Sequence, residues 1–156
     1  MFAESILSCV STMQNKTLTT TPLEKEVRTA IYSLNMDSVA GPDGFGNKFF
    51  MLYWDIFHVD ITNAVREFFL SGSILHGANS NFISLILKKD NAIAIGDIRP
   101  VAVGNTIVKI IRKIIVLRLG WILRDIITPN QFGFIPRRSI QTCIFTALEG
   151  VNIMQR

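Results

Sequence analysis

Residues 81 to 103 read NFISLILKKDNAIAIGDIRPVAV. The first seven residues, Asn81 to Leu87, are rich in β-branched and aromatic side chains, and so are the last seven, Asp97 to Val103. A loop containing Asn91 and Gly96 joins them. Two short runs of this kind around such a loop predict a β-hairpin. Pro100 has no N–H to give to a ladder, which places the second run at a sheet edge or a strand end. Three bases stand at the ends of these runs: Lys88 and Lys89 after the first, Arg99 within the second. A lysine and an arginine on adjacent strand ends can converge on a polyphosphate, the lysine as a mobile point charge and the arginine as a two-pronged donor. Edge strands are also commonly protected with lysine, and on spacing alone that is the plainer reading. Asp90 and Asp97 flank the loop and read as charge balance or turn formers for these bases.

Helical signals surround the hairpin. Thr21-Pro22-Leu23-Glu24 has the form of a helix start, with Thr21 as cap, Pro22 in the first turn and Glu24 closing a capping box. Val27, Ala30, Ile31 and Leu34 then recur at helical spacing. The glycines and proline of MDSVAGPDGFG break this helix. A second helical region is expected from about Asn47 to Phe69, kinked near His58-Val59, with Gly72 as its C-terminal cap. Beyond the hairpin, Asn105 is expected to cap a long helix to about Ile127. On its wheel Ile107, Ile110, Ile111, Ile114, Trp121 and Ile122 share one side, and Lys109, Arg112, Lys113 and Arg124 the other. Thr128-Pro129-Asn130 ends it, and Ser139 caps a last helix to about Met154. The order α-α-β-β-α-α lacks the βαβ alternation of a parallel sheet. The expected class is α+β, mostly helical, with one hairpin. A length of 156 residues makes one domain, divided into a helical region 1–78, the hairpin region 79–104 and a helical region 105–156.

Charge divides unevenly. Residues 1–78 hold eight acids and five bases, a net −3, whereas residues 79–156 hold four acids and eleven bases, a net +7. A concentrated positive half fits a phosphate-bearing partner, and equally a solvated basic face. The oiliest stretch, Thr106 to Ile127, is interrupted by six charged residues and does not read as a membrane span. Met1 to Val10 has no basic residue of the kind that opens a signal peptide. Cys9 and Cys143 lie far apart and read as two buried thiols of an intracellular protein, nuclear or cytoplasmic. With His58 and His76 they assemble no zinc set. Phosphate-loop, dinucleotide-loop and zinc-protease motifs are absent, and no carboxylate pair reads as a two-metal centre.

A second basic segment, QFGFIPRRSIQTC, covers residues 131–143. Here Arg137 and Arg138 precede the helix capped by Ser139. Free N–H groups at a helix start beside two guanidinium groups make a phosphate site.

Four segments together resemble one family. AGPDGFGNKFF, LILKKDNAIAIGDIRPVAVGN, KIIRKIIVLRL and ITPNQFGFIPRRSIQTCI occur in the order found at the start of the reverse transcriptase of LINE-type, non-long-terminal-repeat retroelements, plant members above all. The resemblance covers roughly Pro22 to Met154. It implies the fingers of a right-hand polymerase, an RNA-directed DNA polymerase, in which Lys88 and Arg99 contact the incoming nucleoside triphosphate. It also implies that Gln131, Gly133, Phe134, Arg138 and Ser139 lie near the template strand. The charge of the basic half adds Lys89 and Arg137 as candidate phosphate contacts. Lys109, Lys113 and Arg118 match the family's long helix. Leu87 replaces the usual proline before the hairpin lysine, and Arg137 replaces a turn glycine; drift in a decaying copy would leave such changes.

The family's palm, with its metal-binding aspartates, would lie downstream of Arg156, and the chain holds no adjacent aspartate pair. The resemblance therefore implies magnesium, a template-primer and deoxynucleoside triphosphates for the complete enzyme, but no catalytic residue, metal site or cofactor in this chain. The expectation is a fingers segment inactive by itself with weak nucleic-acid affinity. A non-catalytic binding module and an inert retroelement remnant are the alternatives.

Overall fold

The computed structural model describes residues 10–91, 93–128, 131–133, 135 and 138–154, apart from the side chain of Arg124. Six α-helices and two strands are formed among them. These are α1 (Thr12–Thr19), α2 (Glu24–Tyr32), α3 (Asn47–Leu52), α4 (Trp54–Ser71), β1 (Asn81–Leu87), β2 (Ile98–Gly104), α5 (Thr106–Ile126) and α6 (Ile140–Met154). The fold is α+β and mostly helical. Its contacts divide the chain into two units, Thr20–Ile115 and Met1–Thr19 with Val116–Arg156, and the boundary falls within α5.

The larger unit is built on apolar stripes at helical spacing. Val27, Ala30 and Ile31 of α2, Met51 of α3, Trp54, Ile61 and Val65 of α4, and Ile110, Ile111 and Ile114 of α5 form one buried cluster. Each fully buried isoleucine, such as Ile31, Ile110 or Ile114, contributes about 1.5–3 kcal/mol of transfer free energy. Rings of Phe45, Phe49, Phe50, Tyr53 and Phe57 stack along its flank at centroid separations of 4.6–6.3 Å.

Three local expectations are corrected here. Thr21 does not cap α2: the helix starts at Glu24, and its cap residue is Leu23, which makes no side-chain cap bond. Pro22 is fully buried and its carbonyl accepts a hydrogen bond from Arg66 Nε at 3.1 Å, so the chain stays extended through Leu23 (ψ 156°). The second helical region is interrupted at Tyr53 (φ −103°, ψ 25°) rather than near His58. The break leaves Met51 and Trp54 both in the core, and the Tyr32 hydroxyl donates to the Met51 carbonyl beside it at 3.1 Å. Gly72 does cap α4, in the left-handed conformation at φ 71°. On α5, Ile110, Ile111, Ile114 and Ile122 are buried as the wheel predicts and Ile107 partly so, but Trp121 is 74% exposed, and Val108, off the predicted stripe, is buried. A wheel assigns one face along the whole length, whereas the partner elements of α5 change along it.

In the smaller unit, α1 went unread because its sequence, TMQNKTLT, has no apolar period. A capping box nevertheless marks its start: Gln14 N–H donates to Ser11 Oγ at 3.1 Å, and Ser11 N–H to Gln14 Oε1 at 2.8 Å. Arg118, largely buried, donates to Leu18 O at 2.9 Å, and Gln14 Nε2 to Asp125 Oδ2 at 3.2 Å. A groove of about 450 Å³ between α1 and the last turns of α5 is lined by Met13, Thr17, Leu117, Trp121 and Ile122 around these polar groups. Ser139 caps α6 through a Gln141 N–H···Oγ bond of 3.2 Å. No described residue of α6 is buried, so the Cys143 thiol is exposed rather than buried as expected; Cys9 lies outside the described residues.

Candidate functional site

β1 and β2 pair antiparallel, with Phe82 opposite Val103, Ser84 opposite Val101, Ile86 opposite Arg99 and Leu87 opposite Ile98. Lys88 N–H donates to Asp97 O at 2.8 Å, so the ladder continues one residue past β1. Because side chains alternate between faces along a strand, Lys88 and Arg99 both stand on the face of Ile86. The hairpin thus brings together the two bases that the resemblance assigns to a nucleotide. Pro100 falls opposite Leu85, between hydrogen-bonded pairs, where its missing N–H would have pointed outward.

The three bases differ in their bonding. Lys88 Nζ donates to Gly96 O at 2.7 Å, across its own loop. Lys89 Nζ lies 2.9 Å from Asp97 Oδ1, and Asp97 Oδ2 accepts the N–H groups of Ile93 and Ala94 at 3.4 and 3.3 Å. The hydrogen bond from Lys89, helped by these N–H groups, holds the Asp97 carboxyl below its ordinary pKa despite an opposing desolvation. Asp97 therefore acts as the turn former and charge balance that its position predicts. Arg99 is exposed and makes no hydrogen bond or ion pair among the described residues. Its five donors are available in a fixed fork.

A buried polar junction positions the hairpin. Asn105 Oδ1 accepts Asp43 N–H at 3.1 Å, and its Nδ2 donates to Ala78 O at 3.1 Å. Its side chain thus ties the loop before α3 to the segment before β1. One residue on, the Thr106 hydroxyl reaches both Phe45 O and Asn47 Oδ1 at 3.1 Å, and Asn47 Nδ2 donates to Asn35 O at 2.8 Å. A hydroxyl has one proton, so Thr106 shares it between two acceptors. Gly41 packs so closely that an added Cβ would sit 2.5 Å from Asn105 N and 2.6 Å from Gly104 C. The sequence suggests Asn105 only as the cap of α5, but its amide bonds Asp43 and Ala78 instead; the only sequence signal for the network is the density of glycine, aspartate and asparagine in residues 35–47. Lys109, assigned to an outward basic side, instead donates to Ser38 Oγ at 3.2 Å and Val39 O at 2.7 Å.

The second basic segment belongs to the smaller unit. Arg138 donates to Ile127 O, Thr128 O and Gln131 O at 3.0, 2.6 and 2.7 Å. Its charge thereby complements the carbonyl end of α5, and among the described residues two of its five N–H donors find no acceptor. Gln131 and Ser139 are exposed and Gly133 is half-buried. Phe134 and Arg137 lie outside the described residues.

For the magnesium that the resemblance implies in a complete enzyme, no cluster of three or more His, Cys, Asp or Glu side chains is present among the described residues. The residues described do not fit that group. Among them, too, no helix is long and apolar enough to cross a membrane.

No protein-family model matches the chain. The chain is similar to a Xenopus laevis protein, the transposon TX1 uncharacterized 149 kDa protein, with 29% identity over 150 residues. The match covers 96% of this chain and 12% of that protein, so the chain spans about an eighth of the length of the curated relative it matches. A match of that extent necessarily takes in the hairpin, the polar junction behind it and Arg138, so the chain is similar to a transposon protein along nearly its whole length.

Proposed function

We propose that the chain is derived from a retroelement and is the fingers segment of a LINE-type reverse transcriptase, in which the hairpin binds a deoxynucleoside triphosphate. The order of the four sequence segments and the likeness to a transposon protein support the origin. One observation carries the nucleotide role: Arg99, alone among the three hairpin bases, makes no hydrogen bond or ion pair among the described residues, and it shares a face with Lys88. Lys88 need exchange only one loop carbonyl for a phosphate oxygen, whereas Lys89 is engaged by Asp97. In this reading Arg99 is the bidentate contact and Lys88 a mobile second charge. Magnesium and the catalytic carboxylates belong to other parts of the complete enzyme. Lys89, Gln131, Gly133, Phe134, Arg137, Arg138 and Ser139 stand as proposed contacts to the template backbone; phosphate contacts of this kind position a strand without reading its sequence.

The test is titration of the chain with a fluorescent deoxynucleoside triphosphate. A charge-assisted hydrogen bond of about 1.5–3 kcal/mol corresponds to roughly a tenfold or larger loss of affinity in Arg99→Ala. Lys89→Ala should leave the affinity within about twofold. Equal binding by wild type and Arg99→Ala would refute the assignment.

A further inference from the structure

The two edges of the hairpin are unequal. On β2, Pro100 removes an outward donor and Arg99 adds a charge, both of which obstruct pairing. On β1 the backbone groups of Asn81, Ile83, Leu85 and Leu87 point outward, as the Lys88–Asp97 hydrogen bond dictates for alternate residues. No proline or charge interrupts β1, every residue of it is exposed, and no further strand pairs with it among the described residues. Such an edge is a template for another strand.

The sequence of β1 selects the occupant. NFISLIL is nearly symmetric about Ser84, with Ile83 and Leu85 on either side and Phe82 and Ile86 beyond them. We propose that β1 pairs antiparallel with β1 of a second copy of this chain, about a two-fold axis at Ser84. Ile83 then faces Leu85 and Phe82 faces Ile86, so each apolar side chain in the centre meets another across the strands. The pairs whose backbone groups point outward become the hydrogen-bonded pairs, and the two Ser84 side chains meet in a non-hydrogen-bonded pair about 4.5 Å apart at Cα. Charge selects the direction. A parallel, in-register pairing would set Lys88 and Lys89 against the same residues of the second copy, whereas this antiparallel pairing sets them beside its Ser80 and Asn79. The face carrying Arg99 stays open, so the pairing is independent of nucleotide binding.

The experiment uses the whole chain with Cys9→Ser and Cys143→Ser as background. Ser84→Cys should give a disulfide-linked dimer under mild oxidation. Val101→Cys, on the same face of β2, should not, because its counterpart would be three strand spacings away, about 14 Å, against a disulfide reach of about 7 Å. In sedimentation of the unoxidised protein, Leu85→Lys, at an exposed position, should raise the dimer dissociation constant at least tenfold. It should also abolish the Ser84→Cys cross-link while leaving the circular dichroism spectrum unchanged. A monomer at all concentrations, as expected if the edge serves only a different protein, would overturn the proposal. So would a dimer indifferent to Leu85→Lys, or cross-linking of Val101→Cys as fast as Ser84→Cys.

Discussion

Replacing Thr106 by valine probes the junction that holds the hairpin to the helical core. Thr106 is fully buried, and its hydroxyl is within 3.1 Å of both Phe45 O and Asn47 Oδ1. Valine keeps the shape and removes the donor. The cost has two parts: the net hydrogen bond, about 0.5–1.5 kcal/mol, and the desolvation of Asn47 Oδ1, 1% exposed as a residue, now without that donor, about 1–3 kcal/mol. These overlap, because the proton serves one acceptor at a time, so a total of about 1–3 kcal/mol is expected. For a chain of this size each kcal/mol lowers Tm by about 2–4 °C. Thr106→Ser keeps the donor and deletes one methyl group, about 1 kcal/mol. Urea unfolding at low protein concentration, followed by tryptophan fluorescence in a Trp121→Phe background, measures both variants. Trp54 is 4% exposed and sits in the adjoining core cluster, so its emission reports this unit alone. The reasoning is refuted if Thr106→Val is as stable as wild type, or if Thr106→Ser costs as much as Thr106→Val.

Gly41→Ala should destabilise the larger unit by about 1–3 kcal/mol through overpacking, since the added Cβ meets the Gly104–Asn105 backbone; the same urea titration measures it, and Gly96→Ala, with open space around it, serves as the neutral comparison. The Asp97 carboxyl titrates below its ordinary value. The stabilisation it confers on the loop is therefore complete above that ordinary value and is lost as pH falls through the depressed one. Carboxyl-carbon NMR should show this depressed titration, and in Lys89→Ala it should move back up, since the Lys89 hydrogen bond is the largest cause.

The hairpin was legible in the sequence because its determinants are local. Asn81 to Leu87 is the strand that β-branched and aromatic enrichment predicts, and β2 begins at Ile98, one residue inside the expected run. Gly72 and Ser139 could be read as caps for the same reason: a left-handed φ and a hydroxyl facing a helix start depend on the residue itself. That Lys88 and Arg99 share a face follows from the strand register, which only the structure supplies. Tertiary structure alone decided which bases remain available. Two lysines and an arginine look alike in sequence, yet Lys89 is engaged by Asp97, Lys88 by a carbonyl eight residues away, and Arg138 by three carbonyls around the end of α5. The junction of Asn47, Asn105 and Thr106 was equally invisible, because it joins residues about sixty apart whose buried amides and hydroxyl acquire partners only when the loops meet. Burial of Trp121 failed to follow from its place on the wheel for the same physical reason. Periodicity specifies a face, but only the neighbouring element determines whether that face is covered.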